Sequence, residues 1–292
     1  MAGKYRNIWY YTCKYCFSVL PDSLFHNLLG WIMHKRFKAK YHWMNIYHPQ
    51  TFSEKLQYLK KHPVSFNESI LADKYDVREY IKNKIGEKYL VPLECKGVYD
   101  NANDINFDDL PNEFVLKLTK GSGYNIICND KATLNYKATL NKLTKWLNIN
   151  PYYMSREEQY KGKSKIICEK MLEYNITDYK FFCFGGEPTY VELFVDRQGE
   201  YKKVFYDMNW RRMPFTTAND HHRIVDIEQP QEFEELYRIA KLLAEEYSFV
   251  RVDLYVHDNN VYFGELTFYP AGGYTPITPR EWEYILGDLI NL

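Results

Sequence analysis

Two acidic side chains near the C-terminus have the types and the spacing of a metal site. Residues 250–256 alternate between apolar and polar side chains, which predicts a strand that carries Asp253 on the face turned away from the core. Residues 261–268 predict the returning strand, with Glu265 and Thr267 on one face. Asp253 and Glu265 then stand directly opposite each other if the turn between the strands has an odd number of residues.

A three-residue turn, Asp258-Asn259-Asn260, with one Asn in the left-handed conformation, would meet this condition. Two facing carboxylates repel each other unless a cation lies between them, and their hard oxygen atoms suit Mg²⁺ bound to substrate phosphates. Arg251 lies on the same predicted face as Asp253. The alternative is that Asp253 and Glu265 are two solvated acids on an exposed sheet face.

A second candidate group consists of lysines in apolar surroundings. Lys117 interrupts the buried-type strand 114–118 (FVLKL), where a charge is costly unless it meets an anion. Lys120 and the small residues Gly121-Ser122-Gly123 follow at once, and such residues let backbone N–H groups approach a phosphate. As a bare pattern this turn is weak evidence, because it matches neither a Walker loop nor a dinucleotide fingerprint.

Lys74 and Arg78 add positive charge, since they are spaced i and i+4 on a helix predicted over residues 70–85. The alternative for these two residues is an exposed helix face.

The elements that must position these side chains follow from periodicity and turn residues. Helices are predicted over 24–33, 54–61, 70–85, 132–148 and 232–247. Strands are predicted over 89–91, 96–99, 114–118, 126–128 and 166–171, and hairpins over 179–195 and 249–268. Thr51 and Glu54 form a predicted capping box at the start of the second helix. This order of elements predicts an α+β fold with largely antiparallel sheets.

The composition excludes several classes of protein. The 292 residues carry 38 Lys and Arg against 38 Asp and Glu, and a net charge of zero argues against a general nucleic-acid binder. With 46% hydrophobic residues the chain can form a core, so wholesale disorder is excluded. No apolar run reaches the ~18 residues of a membrane span. The six cysteines show no disulfide framework, and Cys13-Lys14-Tyr15-Cys16 has no second CxxC, so we expect free thiols in a cytoplasmic protein rather than a zinc site.

Residues 1–50 are aromatic and basic. Trp9, Trp31 and Trp43 could place this segment on a membrane surface, with a basic cluster nearby, so peripheral contact with the inner face of a membrane is one expectation. The basic cluster is Lys35, Arg36, Lys38 and Lys40. The alternative is a helical extension packed on the main domain.

The order of the motifs resembles a known arrangement. Ala72-Asp73-Lys74 is followed by the Lys-bearing strand with its glycine turn, by residues 167–173 (ICEKMLE), and by Arg251-Val252-Asp253 and residues 264–267 (GELT). Further similar stretches are 52–57 (FSEKLQ), 71–75 (LADKY), 178–184 (DYKFFCF) and 205–207 (FYD). Over about residues 50–292 the chain is similar to the ATP-grasp enzymes, specifically to the TupA-like branch associated with teichuronopeptide and other bacterial surface polysaccharides.

The resemblance implies a fold of two lobes that clamp ATP between antiparallel sheets. The implied division is a helical extension over 1–50 and an ATP-grasp domain over 51–292. Within this domain a small nucleotide-clamping lobe is expected at about 114–172 and a metal-binding lobe at about 173–292.

The resemblance also implies roles for the candidate residues. Lys74 and Lys117 would reach the phosphates of ATP, and the loop would close over them through Lys120, Gly121, Ser122 and Gly123. Glu169, Lys170, Met171 and Leu172 would hold the adenine through main-chain groups, with Glu173 at the ribose. Asp253, Glu265 and Thr267 would bind Mg²⁺. Arg251 and Lys180 would lie near the transferred phosphoryl group as catalytic residues.

The implied activity is an ATP-dependent ligase that joins an amine or amino acid to a uronic-acid carboxylate of a bacterial polysaccharide or its nucleotide-sugar precursor, through an acyl phosphate. The alternatives are an ATP-grasp kinase that phosphorylates a sugar hydroxyl, and a non-catalytic polysaccharide-binding protein. Three positions depart from the family pattern: Tyr124 replaces a loop glycine, Thr267 stands where many relatives carry Asn, and Tyr269–Gly273 differs in the segment expected to face the acceptor.

Overall fold

Two antiparallel sheets form the centre of the molecule. A computed structural model describes residues 3–63, 68–173, 176–195, 202–218 and 226–292. The helices are α1 (Gly3–Thr12), α2 (Asp22–Arg36), α3 (Phe52–Lys61), α4 (Glu68–Leu71), α5 (Val77–Lys84), α6 (Tyr136–Leu147), α7 (Tyr152–Ser155), α8 (Phe233–Ala244) and α9 (Glu281–Asp288). The strands are β1 (Leu93–Tyr99), β2 (Phe114–Leu118), β3 (Asn125–Cys128), β4 (Ile166–Lys170), β5 (Asp178–Phe184), β6 (Glu187–Val195), β7 (Lys202–Asp207), β8 (Thr216–Thr217), β9 (Phe249–His257), β10 (Asn260–Thr267) and β11 (Ile277–Thr278). The predicted α+β class is confirmed.

The small sheet has the strand order β1-β4-β2-β3, with antiparallel neighbours throughout. In β2 the alternating residues Phe114, Leu116 and Leu118 are buried in a core shared with α6, so Lys117 lies on the opposite face. The edge strand β1 begins at Leu93, so this sheet reaches further toward the N-terminus than the lobe predicted from the motifs.

The large sheet has the order β10-β9-β5-β6-β7 and is also antiparallel. Val250, Val252 and Leu254 of β9 are buried in one core cluster with the apolar side of α8. Asp253 lies on the other face of β9, as the alternation predicted. The large sheet therefore has an apolar face against α8 and a polar face turned to the rest of the molecule.

The helix predicted over 70–85 is wrong in its middle, because α4 ends at Leu71 and α5 begins at Val77. The carboxylate of Asp73 accepts hydrogen bonds from the backbone N–H groups of Tyr75 (2.9 Å) and Asp76 (3.1 Å). An Asp side chain that bonds the backbone two and three residues ahead stabilises a turn at the expense of a continuous helix.

The strand predicted over 89–91 is also wrong. Residues Glu87–Tyr89 form a 3₁₀ turn, and Leu90 makes only an isolated bridge to Phe263. Pro92 follows two residues later and has no N–H to extend a ladder. The capping box at α3 is confirmed: Glu54 N–H donates to Thr51 Oγ1 (3.3 Å), and the Glu54 carboxylate accepts from Thr51 N–H (3.0 Å).

Residues 3–50 form a helical extension that packs on the rest of the chain, which is one of the two alternatives predicted for this segment. α1 continues into a π-helical turn (Cys13–Phe17), and α2 follows. Buried residues of the extension share a cluster with Tyr274 of the C-terminal part: Cys13, Phe25, Leu29, Met44 and Ile46. Trp9 packs against this cluster, whereas Trp31 and Trp43 are exposed.

Arg156, just after α7, ties the extension to the body. Its guanidinium pairs with Asp22 (2.5 Å), lies 4.0 Å from the ring centroid of Phe25, and donates to the carbonyl oxygens of Phe17, Ser18 and Leu20. Within the described ranges, no helix is long and apolar enough to span a bilayer.

Candidate active site

The hairpin of β9 and β10 brings the two predicted metal ligands face to face, but by a different route from the predicted one. The turn has two residues, Asp258 and Asn259, both with positive φ (48° and 59°), as a type I′ turn requires. The odd residue that sets the register is a bulge at Gly264. Asp253 and Glu265 are consequently direct partners across the two strands.

Gly264 is the residue that this bulge demands. A Cβ atom there would lie 2.9 Å from the carbonyl oxygen of Asp253 and 3.0 Å from the ring of Tyr255. Any larger side chain would therefore have to push against the backbone of β9. The glycine in the GELT motif thus has a structural role in setting the position of Glu265 opposite Asp253.

Asp253 is buried and bonded to two cations on neighbouring positions of the large sheet. Arg251 donates to both of its carboxylate oxygens at 2.7 Å, and Lys180 of β5, its direct cross-strand partner, pairs with Oδ2. Only 1% of Asp253 is exposed, so this charge depends on both cations for its neutralisation. The structure therefore brings the predicted catalytic residues Arg251 and Lys180 together on the carboxylate of Asp253.

Glu265 lies at the edge of this cluster and faces a lysine from a different part of the chain. Lys74 Nζ lies 3.2 Å from Glu265 Oε2, Thr267 Oγ1 donates to Oε1 (3.1 Å), and Arg251 Nη2 is 3.6 Å from Oε1. Burial acts to raise the pKa of Glu265, but Lys74, Lys180 and Arg251 outweigh it and hold this pKa well below its usual range. Glu265 is therefore ionised at any physiological pH.

The break between α4 and α5 is what aims Lys74 at the site. Lys74 N–H donates to the carbonyl of Thr119 (3.0 Å), and Lys74 Nζ also donates to the carbonyl of Gly121 (3.1 Å). These contacts join the turn capped by Asp73 to the loop that follows β2. In a continuous helix the backbone N–H of Lys74 would be bonded within the helix instead.

Lys117 and Arg78 converge on a second buried carboxylate, Glu169 of β4. Lys117 Nζ lies 2.6 Å from Glu169 Oε2, and Arg78 Nη1 lies 3.8 Å from Oε1. The Arg78 guanidinium also donates to the Val91 carbonyl (2.9 Å). This group lies on the face of the small sheet opposite its core. We use the word cleft for the region between this face and the polar face of the large sheet, where Lys74 contacts both Gly121 and Glu265.

The chain leaves β4 through the stretch that was predicted to hold adenine. Lys170 is exposed, and its N–H donates to the Pro92 carbonyl (2.9 Å). Met171 and Leu172 follow in irregular, half-buried backbone, and Glu173 is exposed, with Oε2 4.0 Å from His257 Nδ1. Met171 and Leu172 lie outside the strand ladder, and the adenine role of these residues stays a prediction.

The glycine loop after β2 differs from the expectation at Lys120. Gly121 and Gly123 have positive φ (88° and 74°), and Ser122 is exposed. Lys120, however, is only 7% exposed, and its ammonium donates to the carbonyl of Lys161 (2.9 Å) and to the hydroxyl of Ser69 (3.2 Å). Its side chain in this structure thus braces the base of the loop.

Tyr124, which replaces a glycine of the family pattern, is buried at the end of this loop. Its ring packs edge-on against Trp146 of α6, with centroids 5.5 Å apart. The backbone carbonyl of Tyr124 accepts from Leu118 N–H (2.9 Å). Because Tyr124 is anchored in the core of the small lobe and the Gly121 carbonyl accepts from Lys74, the exposed part of the loop is Ser122 and Gly123.

Three charged residues of the site were not identified from the sequence. Asp178 is buried 3.5 Å from Lys180 Nζ, Glu192 of β6 is the cross-strand partner of Lys180, and Lys203 of β7 pairs with Glu192 (3.0 Å). The alternation in β5 and β6 contained the signal for the first two. The strand β7 was not predicted, so nothing indicated Lys203.

The donor set between the two strands fits Mg²⁺ by its chemistry. Asp253, Glu265 and Thr267 offer the carboxylate and hydroxyl oxygens that a hard cation prefers. In the described part of the chain no group of three or more His, Cys, Asp or Glu side chains is arranged to hold a metal by itself. An ion at these residues would therefore need phosphate oxygens and water to complete its coordination.

Comparison with protein families agrees with this geometry. The model of the TupA-like ATP-grasp family matches residues 54–291, most of the chain. The chain belongs to this family. The ATP-grasp fold predicted from the motif order is thereby confirmed, and a search of curated proteins finds no match.

Several solved structures are similar at low identity. A D-alanine–D-alanine ligase from Bacillus anthracis is 18% identical with a TM-score of 0.47, and the match covers 80% of this chain and 72% of that one. The same ligase complexed with ATP is 19% identical (TM-score 0.39; 68% and 54% covered). An ADP complex of N5-carboxyaminoimidazole ribonucleotide synthetase is 15% identical (TM-score 0.40; 74% and 50% covered). The chain thus spans about half the length of the two nucleotide complexes.

Proposed function

We propose that this protein is an ATP-dependent carboxylate–amine ligase. The observation that carries the proposal is the convergence of Glu265, Asp253, Lys180, Arg251 and Lys74 at one end of the cleft between the two sheets. Two carboxylates that face each other among three cations can hold a metal–phosphate group and stabilise the charge that develops during phosphoryl transfer.

The proposed reaction has two steps. An oxygen of the substrate carboxylate attacks the γ-phosphorus of ATP, the bond to the β–γ bridging oxygen breaks, and ADP leaves. The amine nitrogen then attacks the carbonyl carbon of the acyl phosphate, inorganic phosphate leaves, and the amine loses a proton. When bound, Mg²⁺ would draw negative charge from the phosphate oxygens, with Asp253, Glu265 and Thr267 as its protein ligands.

The ion pairs of the site suggest how the chain's own residues take part. Lys74 faces Glu265 of the large sheet, and Lys117 faces Glu169 on the neighbouring strand of the small sheet. In both pairs a phosphate can replace the carboxylate as the partner of the ammonium. Lys180 and Arg251 remain fixed on Asp253, which holds both cations beside the position of the transferred group. These two residues thus act by position and charge rather than by proton transfer.

The proposed substrates are a uronic-acid carboxylate of a bacterial capsular or cell-surface polysaccharide, or of its precursor, and an amine or amino acid. The similarity of the motifs to the branch associated with teichuronopeptide supports this assignment. The second candidate, a kinase acting on a sugar hydroxyl, would use the same phosphate-binding residues without an amine.

The proposal is tested by measuring ADP release with a uronic acid alone, with an amine alone, and with both. Turnover that requires both substrates, with an amide detected by mass spectrometry, supports ligation. A phosphorylated sugar formed without amine would refute ligation in favour of the kinase. Glu265→Gln is the negative control in every arm. Comparison of the cell-surface polysaccharide with and without the protein would then identify the natural acceptor.

A further inference from the structure

A cavity of about 380 Å³ lies outside the cleft, between the helical extension and the C-terminal segment. One wall is the end of α2 with residues 38–44, and the other is Gly273–Thr278 with Arg280 and Glu283. Its volume falls in the ~300–1,000 Å³ range of small-molecule sites in proteins. We call it the extension pocket.

Positive groups are concentrated on the extension pocket. Lys38, Lys40 and Arg280 line it, and in the described ranges none of them forms an ion pair with a carboxylate. His34 and His42 line it too. Burial, followed by the positive charges of Arg280 and Lys40, lowers the pKa of His42. In a chain with zero net charge, these groups lack the carboxylate partners that other cations of this protein have.

The two acidic residues of the pocket wall are Glu54 and Glu283. Among the described residues neither forms an ion pair with these cations, because each already accepts hydrogen bonds from backbone N–H groups. Glu54 accepts from the N–H groups of Asn45, Gln50 and Thr51 at 2.8 to 3.0 Å. Glu283 accepts from Ser53 N–H and hydroxyl and from Ile277 N–H at 3.0 to 3.3 Å. Both carboxylates are buried and fix the walls. Arg280 donates to the hydroxyl of Tyr284 (3.1 Å), a neutral partner that an anion can join or replace.

The pocket also has an aromatic lining. Tyr41 lies against Gly30, where a Cβ atom would come within 2.9 Å of the ring, and its hydroxyl donates to the buried Asn27. Tyr274 and the exposed Trp43 complete the lining. Flat apolar surfaces beside cations suit a ring-shaped ligand that carries a negative charge.

The wall Gly273–Thr278 is continuous with the active site along the chain. It begins six residues after Thr267 and overlaps at Gly273 with Tyr269–Gly273, the segment that the family resemblance implies to face the acceptor. Gln57 donates to the carbonyls of Gly272 and Gly273 (3.0 Å each), and Lys60 donates to that of Gly272 (2.6 Å). The pocket is therefore held in a fixed relation to the strand that carries Glu265.

We propose that the extension pocket binds a carboxylate-bearing sugar unit of the acceptor chain, next to the unit that reacts in the cleft. That this sugar belongs to an acceptor rests on the proposed function, but its binding does not require catalysis. Arg280 and Lys40 would hold the sugar carboxylate, and Trp43 and Tyr41 would contact the ring.

The test uses calorimetry without ATP. The probes are the tetramer of galacturonic acid, its fully methyl-esterified form, and glucose 6-phosphate. We expect the acid tetramer to bind and the ester to bind at least about 10-fold more weakly, because the ester lacks the charge that the cations hold. Equal binding of acid and ester, or preference for the sugar phosphate, would overturn the proposal.

Variants locate the binding. Arg280→Ala and Lys40→Ala should each weaken the acid tetramer by about 10-fold, the cost of one charge-assisted contact. Lys35→Ala, an exposed lysine that does not line the pocket, is the matched control. Should Lys35→Ala and Arg280→Ala weaken binding equally, the effect is general surface charge and the pocket assignment fails.

The two proposals fail in different ways. If the acid tetramer binds through Arg280 but no ADP is released with any amine, the pocket stands and the ligase proposal falls. If turnover requires uronic acid and amine but Arg280→Ala changes neither tetramer binding nor the KM for a polymeric acceptor, the pocket falls. With both correct, Arg280→Ala raises the KM for the polymer and leaves turnover of a monosaccharide acceptor unchanged.

Discussion

The cleft and the extension pocket both contain carboxylates that are largely withdrawn from solvent, but these carboxylates are neutralised differently. In the cleft Glu265 and Glu169 face the side chains of Lys74 and Lys117. In the pocket Glu283 is held mainly by backbone N–H groups of Ser53 and Ile277. A lysine side chain can turn to a phosphate without any change in the fold, whereas a backbone N–H cannot. The same residue type thus belongs to an exchangeable ionic network in one region and to fixed structure in the other.

The difference predicts opposite phenotypes for loss of a carboxylate. In the cleft the loss should reduce turnover while the fold persists, because the cations there can rotate toward solvent or phosphate. In the pocket wall the loss should reduce stability, because unsatisfied backbone donors remain buried.

The largest effect is expected for Glu265→Gln. This change keeps the shape of the side chain but removes the charge that would hold Mg²⁺, so turnover should fall by about 10²- to 10³-fold or more. ADP release at saturating substrate measures it, and the circular-dichroism spectrum should show that the fold is retained. Glu281→Gln, an exposed acid at the start of α9, is the control. Unchanged activity would refute the metal assignment.

Glu283→Ala should show the opposite pattern. Removing the carboxylate leaves the N–H groups of Ser53 and Ile277 without an acceptor, at a cost of about 3 kcal/mol in the free energy of unfolding. Urea denaturation measures this cost, and Glu281→Ala serves as the exposed control. The affinity for ATP, measured well below the unfolding transition, should stay the same. If stability were unchanged and ATP binding lost, the two regions would not differ as described.

Lys117→Ala should weaken ATP binding, because the ammonium is expected on a phosphate. The expected loss is about 2 kcal/mol, or roughly 30-fold in Kd, typical of a contact to a charged group. Calorimetry measures it, with Lys170→Ala on the neighbouring strand as a comparison for an exposed lysine. Identical Kd values for the wild type and Lys117→Ala would remove this residue from the nucleotide site.

Gly264→Ala tests whether the geometry of the cleft matters as much as its charges. The added methyl group must displace the Asp253 carbonyl or the Tyr255 ring, and overpacking of this kind costs about 1–3 kcal/mol. We expect a lower melting temperature together with a loss of turnover, although no charge changes. Gly185→Ala is the control outside the cleft: it strains a turn with φ of 54° but meets no atom within 4 Å, so it should lower stability without a loss of turnover.

The smallest effect concerns the surface of the extension, where membrane contact remains a prediction. Residues 1–50 contain seven Lys or Arg and one Asp, and α2 exposes Leu24 and Trp31 with Lys35 beside the indole. We expect weak binding to vesicles of anionic phospholipid that Trp31→Ser or Lys35→Glu reduces by about 1 kcal/mol each, roughly 5-fold. Vesicle sedimentation measures it. Equal binding to neutral vesicles would rule out this charge-based contact.

Much of the site could be predicted because strand alternation is a local signal. The period of two placed Asp253 on the polar face, and the FVLKL pattern placed Lys117 opposite the core residues of β2. Strand alternation alone does not determine the register of the last hairpin. It depends on whether the odd residue lies in the turn or in a bulge, and the crowding at Gly264 that decides this involves the partner strand.

Other features depend on contacts between distant parts of the chain. The helical period over 70–85 was real, but the Asp73 carboxylate competes with the helix for backbone N–H groups, and Lys74 bonds to Thr119 instead. The extension pocket joins residues 38–44 to Gly273–Thr278, more than two hundred residues away in sequence. No local pattern contains that pairing.

The contacts of the Arg156 guanidinium make residues 17–22 part of the folded unit. The family match begins at residue 54, so a shortened protein would naturally be started at that residue. Such a protein would lose Asp22 and the three carbonyl oxygens that Arg156 binds, and it would expose Tyr274 and the apolar surface beneath α2. The unit of homology is therefore smaller than the unit of folding, and we expect a protein that starts at residue 54 to aggregate more readily than the 292-residue chain.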